Sequence, residues 1–210
     1  MSLATPADCP SANAESRERI LAAAKDLFAE SGFDAVSMNA IAERACVSKA
    51  NVFHHFKSKN DLYLTVLSQA CDQSRPHIDQ LGNGAGSLDE RLRDYSRAHL
   101  ESILQDEKIS RLFLRDVLEK GPQRGEEFAD MFSRNFSRLV DILRSGQKKG
   151  ELRKNIDPAM VAALLIGADV FFFQSREILR HFPDVKFTDQ PARYSEMLVD
   201  ILLHGIRQTP

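Results

Sequence analysis

The sequence predicts an all-α protein of about nine helices, and three observations carry that reading. No segment shows sustained period-two alternation, the mark of a half-buried strand. Apolar residues recur instead at i, i+3, i+4 and i+7 through most of the chain. Ser and Asp caps open these segments, and Gly or Pro closes several of them. The elements group into an expected disordered leader (1–13), a small helical head (14–60) and a larger helical body (61–210).

The first helix is expected from Ser16 to Ser31, with Ile20, Ala23, Ala24, Leu27 and Phe28 as its apolar stripe. Gly32 suits the left-handed position after a helix, and Phe33 can fold back onto the last turn. Ser37 caps a short second helix carrying Ile41, Ala42 and Ala45. Ser48 caps a third, with Val52 and Phe56 inward. Ser58 and Asp61 form a capping-box variant opening a fourth helix, bent near Pro76 and ending about Leu81. Ser87-Leu88-Asp89-Glu90 is a full capping box and starts a fifth helix to about Gln105, with Leu88, Leu92, Tyr95, His99 and Ile103 on one stripe. A sixth runs from Glu107 to Lys120, where Gly121-Pro122 stops it. The seventh carries Phe128, Met131, Phe132, Phe136, Leu139, Val140 and Leu143 and closes at Gly150. Asp157-Pro158 caps and begins an eighth helix, apolar nearly all round. The ninth takes Ala192 to Ile206, with Tyr194, Met197, Leu198, Ile201 and Leu202 expected inward.

Two helices as short as the second and third cannot stand alone, because nucleation costs more than a few helical bonds return. Flanked by the first and fourth, they read as a helix-turn-helix, whose second helix enters the DNA major groove. The segment Ser16–Leu62 resembles the DNA-binding domain of the TetR family of bacterial one-component regulators. The matching pieces are Arg19-Ile20-Leu21, Ala23-Ala24, Leu27-Phe28, Gly32-Phe33, Ser37, Ile41-Ala42, Ala45, Val47-Ser48, His55-Phe56, Ser58-Lys59 and Leu62. Phe53 stands where the family usually has Tyr, so the phosphate contact of that hydroxyl is absent.

Net charge is only −2, yet Ser37–Lys59 holds four cations (Arg44, Lys49, Lys57, Lys59) against Glu43 alone. A local basic face on a near-neutral protein fits a DNA reader that relies on docking geometry. Cys9, Cys46 and Cys71 show no CxxC and no framework spacing, which points to a reducing cytosol. The first residues carry no signal-peptide pattern. The longest apolar run, Met160–Phe173, is broken by Gly167 and Asp169 and reads as too short to span a bilayer. A cytoplasmic protein without a membrane partner is expected.

Lys49, Ala50, Asn51 and Phe53 occupy the start of the third helix, where Lys can donate to guanine and Asn can pair adenine. By resemblance Asn39 is a further base contact, Ser37, His54 and Lys59 suit phosphates, and Ser48 belongs to the same expected DNA-binding set. His77, His99, His181 and His204 lack the i, i+4 pairing of a local metal site, so neither metal nor cofactor is expected. No catalytic motif appears. The family keeps an effector pocket in its body, which implies an apolar or aromatic small molecule lined here by Tyr95, His99, Phe113, Phe132, Phe136 and Phe172. The reading is a homodimeric repressor on a palindromic operator, paired through its last two helices and released by that effector. Two alternatives stay open: an activator or partner-controlled regulator, and an all-α lipid-binding or enzymatic protein with a fortuitous helix-turn-helix.

Overall fold

A computed structural model describes residues 16–120 and 126–206. The expected leader, the Gly121-Pro122 stop and the Phe128 side chain lie outside the described residues. Among those described are nine helices and no strand: α1 (Ser16–Ala35), α2 (Met38–Arg44), α3 (Lys49–His55), α4 (Lys59–Asn83), α5 (Leu88–Gln105), α6 (Glu107–Lys120), α7 (Glu126–Lys148), α8 (Pro158–Leu179) and α9 (Pro191–Ile206). They form two compact units. Of the described residues, 16–70 and 107–120 make the first, 71–106 and 126–206 the second.

The first unit is built on the apolar stripe of α1. Ile20, Leu21, Ala24 and Phe28 are buried with Ile41 and Ala42 of α2, Val52 of α3, and Leu62, Tyr63, Val66 and Leu67 of α4. Gly32 takes φ 79 and ψ 170 inside α1, breaking it where the sequence placed its end. That break lays the half-buried Phe33 against the core, its ring 6.1 Å from Phe28 and 4.9 Å from Tyr63. Helix α6 belongs to this unit and packs on α1. Lys108 Nζ donates to Asp26 Oδ1 at 2.7 Å, and Arg115 donates to the Phe28 carbonyl at 3.4 Å. Buried Asp116 accepts from the Tyr63 hydroxyl at 3.0 Å.

In the second unit one core joins Leu81, Leu88, Leu92, Tyr95, Leu139, Leu143, Val161, Leu165, Val199 and Leu203. The Ser87 capping box is formed in full, and Asp157 caps α8 through the Ala159 amide. Arg97 of α5 pairs with Glu196 of α9 at 2.9 Å, and Arg93 with Asp200. Two expectations are corrected here. Helix α8 runs 22 residues with a stretch of mean hydropathy 1.6, so by length and composition it could cross a membrane. Its Asp169 is buried and paired with His99 of α5, however, and its apolar surface is divided between two faces. In α9, Met197 and Ile201 point outward, while Ser195, Val199, Leu203 and Ile206 are buried. Both sides of α9 are apolar, so periodicity alone could not say which side meets the core.

Candidate nucleic-acid interface

The helix-turn-helix is assembled from local capping. The Ser37 hydroxyl accepts from the Ala40 amide, and the Ser48 hydroxyl from the Asn51 amide, both at 3.1 Å. These bonds satisfy amides that a short helix cannot pair internally. Cys46 turns the chain between α2 and α3 at φ 54, a left-handed conformation uncommon for a side chain with a Cβ. Cys71, on α4, is a free thiol. Burial of Val52 and Phe56 fixes the outward face of α3. Lys49, Ala50, Phe53 (45% exposed) and His54 stand on that face, with Ser37 and Asn39 exposed on the α2 side. Ser48 is exposed as well.

Two of the expected contact residues are engaged internally. Asn51 is half-buried, and its Oδ1 is covered without a hydrogen-bond partner. Lys59 Nζ lies 4.4 Å from the Phe33 ring centroid and donates to the Asp34 carbonyl at 3.4 Å. Arg17 supplies a cation that the motif does not include, its guanidinium 5.5 Å from the Phe56 ring at the end of α3.

In the second unit the expected effector residues separate into groups. Tyr95 and His99 stack one turn apart at 5.5 Å, and His99 Nδ1 lies 2.7 Å from Asp169 Oδ2. Phe172 is buried against Tyr194 at 4.6 Å and Phe187 at 6.3 Å. Phe136 stacks with Phe132, which is 38% exposed. Phe113 lies on α6, in the other unit. A wide depression of about 580 Å³ along Asp72, Arg75, Pro76, Asp79, Gln80 and Asn83 is lined by none of the six.

The family profile described as "Bacterial regulatory proteins, tetR family" matches residues 20–66. A second profile, "Tetracyclin repressor-like, C-terminal domain", matches residues 85–174. The chain belongs to the TetR family. Among its TetR relatives, the transcriptional regulator UidR of Escherichia coli is 27% identical over 154 residues, covering 71% of this chain and 76% of that protein. RutR of the same organism is 30% identical over 142 residues, covering 68% and 66%. The fatty acid degradation regulator FadR of Bacillus halodurans shares the fold with TM-score 0.73 at 16% identity, covering 90% of this chain and 97% of that one. This TetR protein is therefore a DNA-binding transcriptional regulator.

Asp169 is the residue that the motif-level reading missed. It stands out in sequence as a carboxylate inside an apolar run, a signal read only as a break. Burial raises its carboxyl above the ordinary carboxylate value, and the His99 contact works in the opposite direction.

Proposed function

We propose that this chain is a homodimeric repressor that binds a palindromic operator in the cytoplasm and leaves it when an apolar or aromatic small molecule enters the second unit. The observation that carries the reading is the outward face of α3, where Lys49, Ala50, Phe53 and His54 are presented while Val52 and Phe56 hold the helix from behind. A TetR head of this kind reads a half-site, and a second head one helical turn away, or a multiple of that, makes the operator palindromic.

Support for pairing comes from α8 and α9. Met160 (62% exposed), Leu164, Phe171 and Ile178 follow each other at helical spacing on α8, with Met197 and Ile201 outward on α9. Ala163 and Gly167 are exposed one turn apart on the same helix, and a Cβ built on Gly167 meets nothing within 4 Å. An apolar stripe of that extent on a soluble protein marks an interaction surface. Ligand response has two covalent routes to the head. Helix α4 starts in the first unit and ends in the second, and Asp106 alone separates α5 from α6. The effector must bind the non-DNA geometry more tightly, and by linkage DNA then weakens the effector equally.

The experiment is selection of genomic fragments by the purified full-length protein. A palindromic consensus is expected, with binding that falls steeply as salt rises because phosphate neutralisation releases counterions. Salt-insensitive binding without a consensus would remove the reading.

A further inference from the structure

The second unit holds a buried acid whose hydrogen bonding is incomplete. Asp169 of α8 is 1% exposed. Its Oδ2 lies 2.7 Å from His99 Nδ1, while its Oδ1 is buried without a partner. Native proteins pair nearly all such atoms, and a buried carboxylate oxygen left alone is costly. The same helices carry two more incomplete groups, the buried Ser96 and Ser195 hydroxyls. Ser96 lies one turn before His99 on α5, and Ser195 follows Tyr194 on α9.

Aromatic residues lie near the acid. Tyr95 stacks on His99 with the ring planes 16° apart, and Tyr194 packs on Phe172 at 4.6 Å. The Tyr194 hydroxyl donates to the carbonyl of Ala168, next to Asp169, at 2.7 Å. Both tyrosines feel the acid: burial first, then the Asp169 charge, raises the Tyr95 hydroxyl and pushes Tyr194 up to about 12.

We infer that Asp169 is the polar anchor of the effector site, and that its Oδ1 accepts from a ligand with an N–H or O–H donor on an aromatic or apolar body. This deepens, and rests on, the reading of the second unit as the effector-binding part. A carboxylate ligand is disfavoured, because a second anion beside a buried acid meets repulsion that little water screens. An amine brings opposite charge as well as donors, and an alcohol brings one donor; both complete Oδ1.

Phenethylamine, phenethyl alcohol and phenylacetate share one ring and differ in head group, which makes them the probes. Calorimetry and thermal unfolding of the full-length protein should show saturable binding of the amine and the alcohol. Both should bind at least about tenfold more tightly than phenylacetate, a gap of about 1.4 kcal/mol. Asp169→Asn, nearly isosteric, should remove the amine's advantage. The wild-type ranking is a test by itself if that variant does not fold. Tightest binding of phenylacetate would overturn the inference, as would an unchanged ranking in the variant. Absence of binding by all three at millimolar concentration would also overturn it, leaving water as the partner of Oδ1. A parallel measurement on a selected DNA fragment separates the two readings. Amine binding that leaves the DNA complex intact supports the anchor and removes ligand-driven release.

Discussion

His77 on α4 shows how burial sets a proton equilibrium. Desolvation lowers its pKa from 6.5, the neighbouring His99 lowers it further, and Glu101 partly offsets both. The unfolded chain protonates His77 as pH falls through 6.5, while the folded chain resists. The unfolded state therefore binds more protons in that window, and stability must fall as pH drops through it. Below the folded value both states are protonated and the contribution is gone. Urea unfolding across this range should show the slope, and His77→Gln should flatten it; an identical slope in the variant would contradict the assignment. Single residues were unevenly legible in the sequence. Ser37, Ser48, Ser87 and Asp157 could be read as caps because each bonds an amide two or three residues away. The His99–Asp169 pair could not, since 70 residues separate its members and no local pattern marks the partnership.

At the scale of elements, α1 and α3 make separate demands. Gly32 sits at φ 79 and ψ 170, where a Cβ is strained, so Gly32→Ala should cost roughly 1–3 kcal/mol of stability in denaturant titration. No loss would mean that the α1 break relaxes freely. Lys49 is exposed at the start of α3, and Lys49→Ala should lose about 1–3 kcal/mol at one operator position and relax preference there. Lys59 is tied to Phe33 and Asp34, and it must leave them to reach a phosphate. Lys59→Ala should weaken all sequences alike and reduce the salt slope by about one unit. If binding assays at several salt concentrations gave both variants one specificity profile, the placement of α3 in the groove would be wrong. Helix existence and limits were readable because caps and glycines are local signals. The inward side of α9 was not, because Met197 and Ile201 are as apolar as the residues that reach the core.

For the whole molecule, the apolar faces of α8 and α9 decide the assembly. Ile201 is 70% exposed and Leu164 half exposed, so neither supports the core of its own chain. Leu164→Asp with Ile201→Asp should leave helix content unchanged in circular dichroism and shift sedimentation from dimer to monomer. Operator affinity should fall with it, since one head reads only one half-site. A stable wild-type monomer at micromolar concentration would refute the pairing. The way α6 is held has a practical consequence. Lys108, Arg115 and Asp116 bind it to Asp26, to the Phe28 carbonyl and to Tyr63, all in the DNA-reading unit. That unit is therefore discontinuous along the chain and cannot be excised as an N-terminal fragment. A fragment ending at Ala70 would strip the cover from α1 and leave Tyr63 without its carboxylate. A chimera meant to give this operator specificity to another sensor must graft Glu107–Lys120 along with residues 16–70.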